Sequence, residues 1–513
     1  MELNIFFEGI DSYRGYQSGM IRKLDEQIHF AHCLMTNKQH DDEDRYETDK
    51  VELVDYDICA NCRYEEAYDL NDCLALSRPL LEKMAPYEPM ALKMLMRITE
   101  FDIFDFEEAK ALYLKHLRFW NHMLVTRKIN CVVLTGVPHH VHDYVIHCLA
   151  LVKQIPMCIM TPMSIPYRLF TGTNLGDLWK KTTERYRNIP DGDVELPPDI
   201  EHYYQAVQYQ NIGMDDGLVH GGKFKKPHHK FHKRHMLSYI ASKAVMHRVW
   251  SRWKHGLKLG IKEHDWAQYA EYRRRNKEDL RLVRMTRRKK RTMRNLRDYD
   301  KMAQMPDYSR PFVAFFLHMQ PEATTMPQAG VFVEQYLAVQ ILAKALENSG
   351  IDLYVKEHFV QPYRSRDFYK TLKEIRGVRL IRSTVDSKEL LKRCLASSTC
   401  TGTIIIESMM NGKPALVFGD GGAEYGPGLY KIDSVETCKE AIKKIQEPGF
   451  AVDRTDVRRY FKAFADQSVY AYINPKMAEK NPVLTLEESQ EHIVEWVSEF
   501  IRSLPAGRHE DSL

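Results

Sequence analysis

The fold is decided by three stretches of sequence, FVAFFLHMQPEATTMPQAG (312–330), LYVKEH (353–358) and CTGTIIIESMMNGKPALVFG (400–419). Each places polar residues directly after, or just inside, an apolar run typical of a buried β-strand. In open α/β sheets, ligands bind where strands end and helices begin. Three such edges between Phe312 and Gly419 therefore predict one binding crevice.

The sequence around these stretches alternates between strand and helix patterns. A helix starting at Val333 is predicted to end at Gly350, and strands are predicted over IDLYVKE (351–357), VRLIRS (378–383) and KPALVFGD (413–420). This alternation is typical of a parallel, doubly wound sheet. We predict a Rossmann-like domain over 306–450, followed by a helical tail over 451–513.

A second α/β domain is predicted at the N-terminus, over 1–175. Strand patterns occur at ELNIFFE (2–8), VELVDYDI (51–58), INCVVLTG (129–136) and IPMCIMTPM (155–163), with helical patterns over 77–126 and 145–154. Strand, helix and strand at this spacing indicate a βαβ unit.

Between the two domains, residues 176–305 are predicted to form a basic, helical insertion, with helices over 237–257 and 263–304. It contains the basic runs KFKKPHHKFHKRH (223–235) and RMTRRKKRTMR (284–294). Nucleic-acid binding is one interpretation of such runs. The nearby acids and the small net charge favour a solvated face, a polyanionic acceptor or an anionic membrane surface.

Composition places the chain among ordinary globular proteins. It has 513 residues and a formal net charge of +4. No uninterrupted apolar run approaches the length of a membrane span, and the N-terminal residues lack the pattern of a signal peptide. We therefore expect a cytoplasmic protein.

The ten cysteines do not form a clear metal motif. Cys59 and Cys62 form one CxxC, with Cys33 upstream and Cys73 downstream, but a second pair is missing. Reduced thiols are favoured over a zinc site, and we expect no metal.

Candidate ligand-binding residues follow the strands of the second domain. The turn of Thr401, Gly402 and Thr403 precedes a helix pattern, and Glu407 lies one helical turn further on. Such a turn can hold a phosphate or carboxylate, and Glu407 can accept hydrogen bonds from ribose hydroxyls. It can equally be a helix cap followed by a solvated acid.

Two further strand ends carry polar groups. Lys356 and His358 end one strand, and alternation places them on one face, where they suit a leaving phosphate or form a plain polar strand end. The segment after FVAFFL contains five polar residues in close succession, which favours a functional role. They are His318, Gln320, Glu322, Thr324 and Thr325.

The first domain offers candidates for a general base. His139, His140, His142 and Asp143 follow the strand INCVVLTG. A His or Asp there can deprotonate a substrate across the crevice. A capped helix with exposed histidines remains an equal alternative, and a metal site is disfavoured because adjacent histidines face apart.

Taken together, FFLHMQPEATTMP, VKEH and TCTGTIIIESMMNGKPALVFGD resemble the capsule polysaccharide biosynthesis family. These are bacterial surface-polysaccharide glycosyltransferases related to the capsule Kdo transferases. The resemblance covers roughly residues 295–440. It implies a GT-B-like α/β fold, with two Rossmann-like doubly wound domains facing a cleft, and by analogy tail helices that pack back on the first domain.

The resemblance also implies roles. Lys356, His358 and the Thr401–Thr403 turn lie near the donor phosphate, Glu407 is the helix acid, and His318, Gln320, Pro321 and Glu322 line the cleft. One position departs from the family, because Phe359 stands where its members usually have proline. Proline stiffens the residue before it, so its loss loosens the geometry of His358.

The implied activity is metal-independent transfer of a sugar from a nucleotide-sugar donor to a glycan or lipid-linked acceptor. A CMP-linked sugar is among the candidate donors. Catalytic candidates are His139, His140, Asp143, His318 and Glu322, and contact with the inner face of a cell membrane is one expectation. The alternatives are a CDP-glycerol-type phosphotransferase and a non-catalytic polyanion-binding protein.

Overall fold

The structure of the protein is a computed structural model. It describes residues 2–9, 15–37, 49–95, 106–162, 165, 167–209, 245–255, 275, 297–358, 364, 366–420, 425–480 and 483–505. The basic runs 223–235 and 284–294, and Phe359, lie outside the described residues. Of the predicted helices over 237–257 and 263–304, the described parts 245–255, 275 and 297–302 are helical.

Seven strands form the first sheet, in the order β13-β6-β5-β4-β1-β2-β3. Numbered in chain order, they are β1 (Asn4–Phe7), β2 (His32–Asn37), β3 (Val51–Asp55), β4 (Cys131–Leu134), β5 (Met157–Pro162), β6 (Arg168–Gly172) and β13 (Val469–Tyr470). The strands from β1 to β5 are parallel, whereas β6 and β13 are antiparallel to their neighbours. The order in which the chain adds strands changes direction between β1 and β4, so the topological switch point of this sheet lies between these two strands.

Six parallel strands form the second sheet, in the order β12-β11-β10-β7-β8-β9. They are β7 (Phe312–Phe316), β8 (Asp352–Lys356), β9 (Val378–Ile381), β10 (Ala396–Thr399), β11 (Ala415–Val417) and β12 (Leu429–Lys431). This order is that of a Rossmann sheet, with its topological switch point between β7 and β10. The predicted α/β class with two doubly wound sheets is confirmed.

Besides the helical stretches 245–255 and 297–302, fifteen α-helices occur in the described residues. In the first half they are α1 (Tyr16–Ile28), α2 (Tyr56–Ala60), α3 (Arg78–Met84), α4 (Glu88–Met94), α5 (Phe106–Thr126), α6 (Val141–Val152), α7 (Lys180–Arg187) and α8 (Pro198–Tyr209). In the second half they are α9 (Gln335–Ala345), α10 (Arg366–Glu374), α11 (Ser387–Arg393), α12 (Ile404–Met410), α13 (Val435–Ile445), α14 (Arg454–Gln467) and α15 (Leu486–Arg502). Among these residues, no helix is both long enough and apolar enough to cross a membrane.

The C-terminal segment returns to the first sheet. Helix α14 packs on α7, strand β13 pairs with β6, and α15 packs along α1. Capping boxes at Ser434 and Thr485 begin α13 and α15, because each hydroxyl accepts the N–H three residues on. The described residues near the two ends of the chain therefore belong to one structural unit.

The two sheets share a hydrophobic core through α12. Ile405, Ile406 and Met409 are buried in the same apolar cluster as Trp120 and Leu134 of the first sheet's layers. The preceding residue, Ile404, is buried in an apolar cluster of the second sheet. Helix α12 is therefore wedged between the two units.

Residues N-terminal to 306 already belong to the second unit. Tyr299 is fully buried, and its hydroxyl lies 3.2 Å from the carbonyl of Val355 and 2.5 Å from that of Ile381. The main chain at Gln304 pairs with the same strand end. This anchoring fixes the edge where β8 and β9 end.

Several elements were absent from the sequence expectations: α1, β2, β6, β10, β12 and β13. In the sequence, Ala396 of β10 (396–399) reads as the end of a helix and the polar residues from Ser397 as a tight edge before the next helix. The hydroxyls of β10 are nevertheless satisfied inside the sheet. Ser398 donates to the carbonyl of Leu416 at 3.0 Å, and Ser397 lies 2.6 Å from the Ser408 hydroxyl of α12. Burial of a polar strand costs little when its groups are bonded.

Candidate functional site

His318 bridges the switch point of the second sheet. It follows β7, and its Nε2 accepts the backbone N–H of Thr401 at 3.0 Å, just beyond β10. The Thr399 hydroxyl lies 2.7 Å from the same nitrogen. Burial, and then the nearby charges of His358 and Arg364, lower the pKa of His318 to about 3. The ring is therefore neutral at ordinary pH and acts as an acceptor.

Gly402 is required by this arrangement. A Cβ at this position would lie 3.0 Å from His318 Cε1 and 3.2 Å from His318 Nε2. The ring cannot retreat easily, because the Thr401 N–H holds it. Close approach of the turn to the His318 ring, rather than an unusual φ, explains the glycine of the Thr-Gly-Thr sequence.

A buried ion pair between Arg364 and Glu357 holds the main chain at His318 in place. Arg364 Nε lies 3.1 Å from Glu357 Oε2, and both side chains are almost wholly buried. Arg364 also donates to the carbonyl of His318, and Tyr369 donates to Glu357 at 2.6 Å. Sequence reasoning missed Glu357 and Arg364 as members of this site. The signal for Glu357 was present, since it stands between Lys356 and His358 at a strand end.

Lys356 and His358 have different surroundings in the structure. Lys356 is buried, and its Nζ donates to the carbonyl of Ser383 at 3.1 Å, beside β9. Burial lowers the pKa of Lys356 to about 8. His358 is half-buried and close enough to His318 to lower the pKa of that ring. Only His358 joins the switch-point group.

In the Thr401–Thr403 turn, the N–H and the hydroxyl of Thr401 already have hydrogen-bond partners, which the sequence does not indicate. Thr401 already uses its N–H on His318 and its hydroxyl on the carbonyl of Thr324. The following helix has only seven residues, and Thr403 precedes it without a side-chain cap. An anion at this edge would therefore meet Gly402 and Thr403, which are half-buried, rather than a row of open N–H groups.

The remaining second-domain candidates lie around this turn. Gln320 is half-buried, and its side-chain oxygen accepts from Gln335 at 3.3 Å. The Gln335 side chain also accepts the N–H of His318 at 2.8 Å, so α9 fixes the start of the segment. Glu407 is half-buried in the first turn of α12.

The first sheet contains a matching bridge at its own switch point. Glu8 follows β1 directly, and its Oε2 accepts the N–H of Thr135, the residue after β4, at 2.7 Å. Burial, and then the charge of Asp143, raise the pKa of Glu8 well above its usual range. Glu8 was missed, although it ends the first strand as His318 follows β7.

Asp143 and His142 lie beneath this edge instead of facing the crevice. Both are buried, and His142 Nε2 is 2.8 Å from Asp143 Oδ1. Asp143 also caps α6 by accepting the N–H of His140 at 3.1 Å. Burial alone would raise the pKa of Asp143, but His142 and His140 outweigh it and lower the pKa. His140 is half-buried beside the ring of Tyr56.

His139 is the exposed member of the histidine group, and it meets the other domain. Its Nδ1 lies 2.8 Å from the carbonyl of Val137. A carbonyl can only accept, so Nδ1 carries the proton and Nε2 is the basic nitrogen. His139 Nε2 lies 3.5 Å from Glu322 Oε1, which follows β7. The carboxyl ends of the two sheets therefore face each other.

A second polar contact spans the two units nearby. Lys93, from α4, forms an ion pair with Glu334, which immediately precedes α9. Burial lowers the pKa of Lys93. The contact joins α4 of the first unit to the residue that precedes α9 in the second.

One of the ten cysteines, Cys400, lies in the chain between Thr399 and Thr401 of the switch-point group. All ten are buried free thiols. Within the described parts of the chain, no three His, Cys, Asp or Glu side chains are grouped as metal ligands.

No family model matches the sequence, and no curated protein matches it either. Among solved structures, the chain is similar to a beta Kdo 2,7 transferase, KpsC, of Thermosulfurimonas dismutans, with 8% identity and a TM-score of 0.32. That alignment covers 96% of this chain and 99% of the other.

Two further similar structures are reported with it. One is a beta Kdo 2,4 transferase of the same organism, with 15% identity over 65% of this chain and 79% of the other and a TM-score of 0.26. Another is a UDP-GlcNAc 2-epimerase of Neisseria meningitidis bound to UDP-GlcNAc, with 12% identity over 97% and 100% and a TM-score of 0.25. Likeness at this level does not assign a function.

Proposed function

We propose that this protein is a glycosyltransferase that moves a sugar from a nucleotide-sugar donor to an acceptor hydroxyl. The observation that carries the proposal is the contact between His139 and Glu322. It brings a basic nitrogen from the edge of one sheet to a carboxylate from the switch point of the other. Two ligand edges that face each other suit a reaction between two bound substrates.

The donor belongs to the second sheet in this proposal. Its diphosphate or monophosphate lies over Gly402 and Thr403, with His358 as the cation beside it. His318 is a positioning residue, because its neutral Nε2 is already occupied by Thr401 and Thr399. The negative charge that develops on the leaving phosphate is stabilised by groups whose positions are fixed before the reaction.

The acceptor hydroxyl loses its proton to His139 Nε2. The Val137 carbonyl fixes the tautomer, and the Glu322 carboxylate stabilises the imidazolium that forms. The buried Asp143 orders the start of α6, directly after His140, and is a positioning residue. The proposed transfer needs no metal, and we expect activity in the presence of a chelator.

We further propose a glycan or lipid-linked acceptor in surface-polysaccharide synthesis, with a CMP-linked sugar among the donors to test. Support for this finer assignment is the resemblance of the three strand-end segments to capsule transferases. Gln320 and Glu407 would then contact the nucleotide. The buried Lys356 would lie beneath the bound phosphate, at the carboxyl end of β8.

The proposal is tested by a transfer assay with a panel of CMP-, UDP-, GDP- and TDP-sugars and CDP-glycerol. We expect one nucleotide-sugar to release its nucleotide in an acceptor-dependent way. His139→Gln and Glu322→Gln should each lower kcat by about a hundredfold, consistent with general-base catalysis, and leave donor affinity unchanged.

Other outcomes would replace the proposal. Turnover of CDP-glycerol alone would make the protein a phosphotransferase. Conversion of a nucleotide-sugar without any acceptor would indicate an epimerase or hydrolase. Binding of polyanions with no turnover of any donor would indicate a binding protein.

A further inference from the structure

The helical stretch 245–255, VMHRVWSRWKH, exposes two tryptophans. Trp250 is 54% exposed and Trp253 is 55% exposed. Their spacing of three residues places them on one face of the helix. The Lys254 ammonium lies 4.2 Å from the centre of the Trp250 ring, so a cation lies on the same face of the helix as the two tryptophans. By contrast, Trp120 and Trp179 are buried in the core.

The charge around this helix is strongly one-sided. From Gly217 to Lys262 the sequence contains twelve Lys and Arg and no Asp or Glu. The whole chain has a net charge of +4, so the remainder has a net charge of −8 (4 minus 12). Within the helix itself, Arg248 and Lys254 are exposed. This asymmetry indicates a surface for a negatively charged partner.

We propose that the 245–255 helix docks on a lipid bilayer that contains anionic headgroups. The indole rings of Trp250 and Trp253 would lie at headgroup level, where aromatic rings with a polar N–H are favoured. Lys254, on the same face as the two indole rings, would contact a lipid phosphate. A basic helix with aromatic side chains on one face lies in the plane of the interface without spanning it.

The shape of the surface favours a bilayer over RNA. A single-stranded nucleic acid is held in a groove that tracks its backbone, with bases stacked on successive aromatic platforms. Trp250 and Trp253 instead stand side by side on one helix, which suits a flat partner. This inference goes beyond the proposed transfer reaction and does not depend on it.

The test is sedimentation of the full chain with vesicles of phosphatidylcholine, with and without about 30 mol% phosphatidylglycerol. We expect binding to the anionic vesicles, weakened by added salt, and little binding to the neutral ones. Trp250→Ser/Trp253→Ser should lower the partition coefficient at least about tenfold, because it removes the inserted apolar area. Phe106→Ser, at an exposed aromatic outside this helix, is the matched control and should bind like the wild type.

Several results would overturn the proposal. The wild type could fail to bind anionic vesicles, or bind neutral vesicles equally well. The double variant could bind as tightly as the wild type, which would assign the binding to other residues. If the protein binds an RNA homopolymer and does not bind vesicles, the helix belongs to a nucleic-acid surface instead. A circular-dichroism spectrum and a thermal-unfolding midpoint equal to those of the wild type show that the double variant is folded.

Discussion

Glu8 and His318 perform the same structural task in the two sheets. Each follows the first strand of its sheet and accepts a backbone N–H from the loop after the fourth strand of the winding. In both cases burial favours the neutral form of the side chain. The bridges lock the two loops that border each crevice, so we assign both residues to positioning.

His318 should be replaceable by another hydrogen-bond acceptor. His318→Gln offers an amide oxygen to the Thr401 N–H, whereas His318→Ala leaves that N–H without a partner. We expect His318→Ala to weaken nucleotide binding by about tenfold, or about 1.4 kcal/mol, and His318→Gln to lose less. Calorimetric titration measures both. Equal losses in the two variants would show that the ring has another role.

His318 also predicts a pH dependence of stability. Its pKa is about 3 in the folded protein, against 6.5 for an ordinary histidine. Between these values the unfolded chain binds a proton that the folded protein does not, so acid favours unfolding. The stabilisation is complete above pH 6.5 and is lost as the pH falls, by up to about 1.4 kcal/mol per pH unit from this one group.

The measurement is the free energy of unfolding in urea at several pH values between 4 and 7, for the wild type and His318→Gln. The wild type should lose stability more steeply than the variant as the pH falls. Identical slopes for the two proteins would contradict the depressed pKa of His318.

At the scale of elements, β10 and α12 are joined by a pair of buried hydroxyls. Ser408 donates to the carbonyl of Ile404 at 2.6 Å, so its single proton is used. Ser397, 2.6 Å away, must therefore be the donor in their mutual bond. Ser408→Ala leaves the Ser397 donor unsatisfied, which costs about 1–3 kcal/mol. Ser397→Ala leaves Ser408 satisfied and should cost less.

A double-mutant cycle tests this direction of bonding. Ser397→Ala/Ser408→Ala should be destabilised by less than the sum of the two single changes, because the orphaned donor is gone. Urea denaturation supplies the free energies of unfolding. Simple additivity would mean that the two hydroxyls are not coupled.

For the whole molecule, the C-terminal segment packs on the first sheet and also contacts α12, which lies between the two sheets. Phe464 of α14 is buried against Phe170 of β6, with ring centres 4.5 Å apart. Phe464→Ala should lower the free energy of unfolding by about 3–5 kcal/mol. Phe106→Ala, at an exposed position, should change it by no more than about 0.5 kcal/mol.

These free energies of unfolding are measured by chemical denaturation, monitored both by tryptophan fluorescence and by circular dichroism. We expect coincident transitions, since the core cluster around Trp120 continues through α12 and α14. Two separate transitions, or an unchanged midpoint in Phe464→Ala, would contradict a shared core.

Much of the architecture could be predicted from the sequence, because strand and helix patterns alternate clearly after Phe312. The place of His318 at the end of β7 could also be predicted, since polar groups follow that apolar strand, whereas Glu8 at the end of β1 was missed. Strand β10 was not found, because its buried hydroxyls have no local signature. The support from Arg364 and the contact of His139 with Glu322 could not be predicted either, since both join residues distant in sequence.

The central claim is that the switch point of the second sheet binds a nucleotide. The most direct test is calorimetric titration of the wild type, Gly402→Ala and Gly136→Ala with CMP, UDP, GDP, TDP and CDP. A Cβ at Gly136 meets nothing within 4 Å, so this variant is the control. We predict saturable binding of one nucleotide to the wild type and to Gly136→Ala, weakened at least about tenfold in Gly402→Ala. A folded wild type that binds none of the five, or a Gly402→Ala variant that binds equally well, would contradict the account.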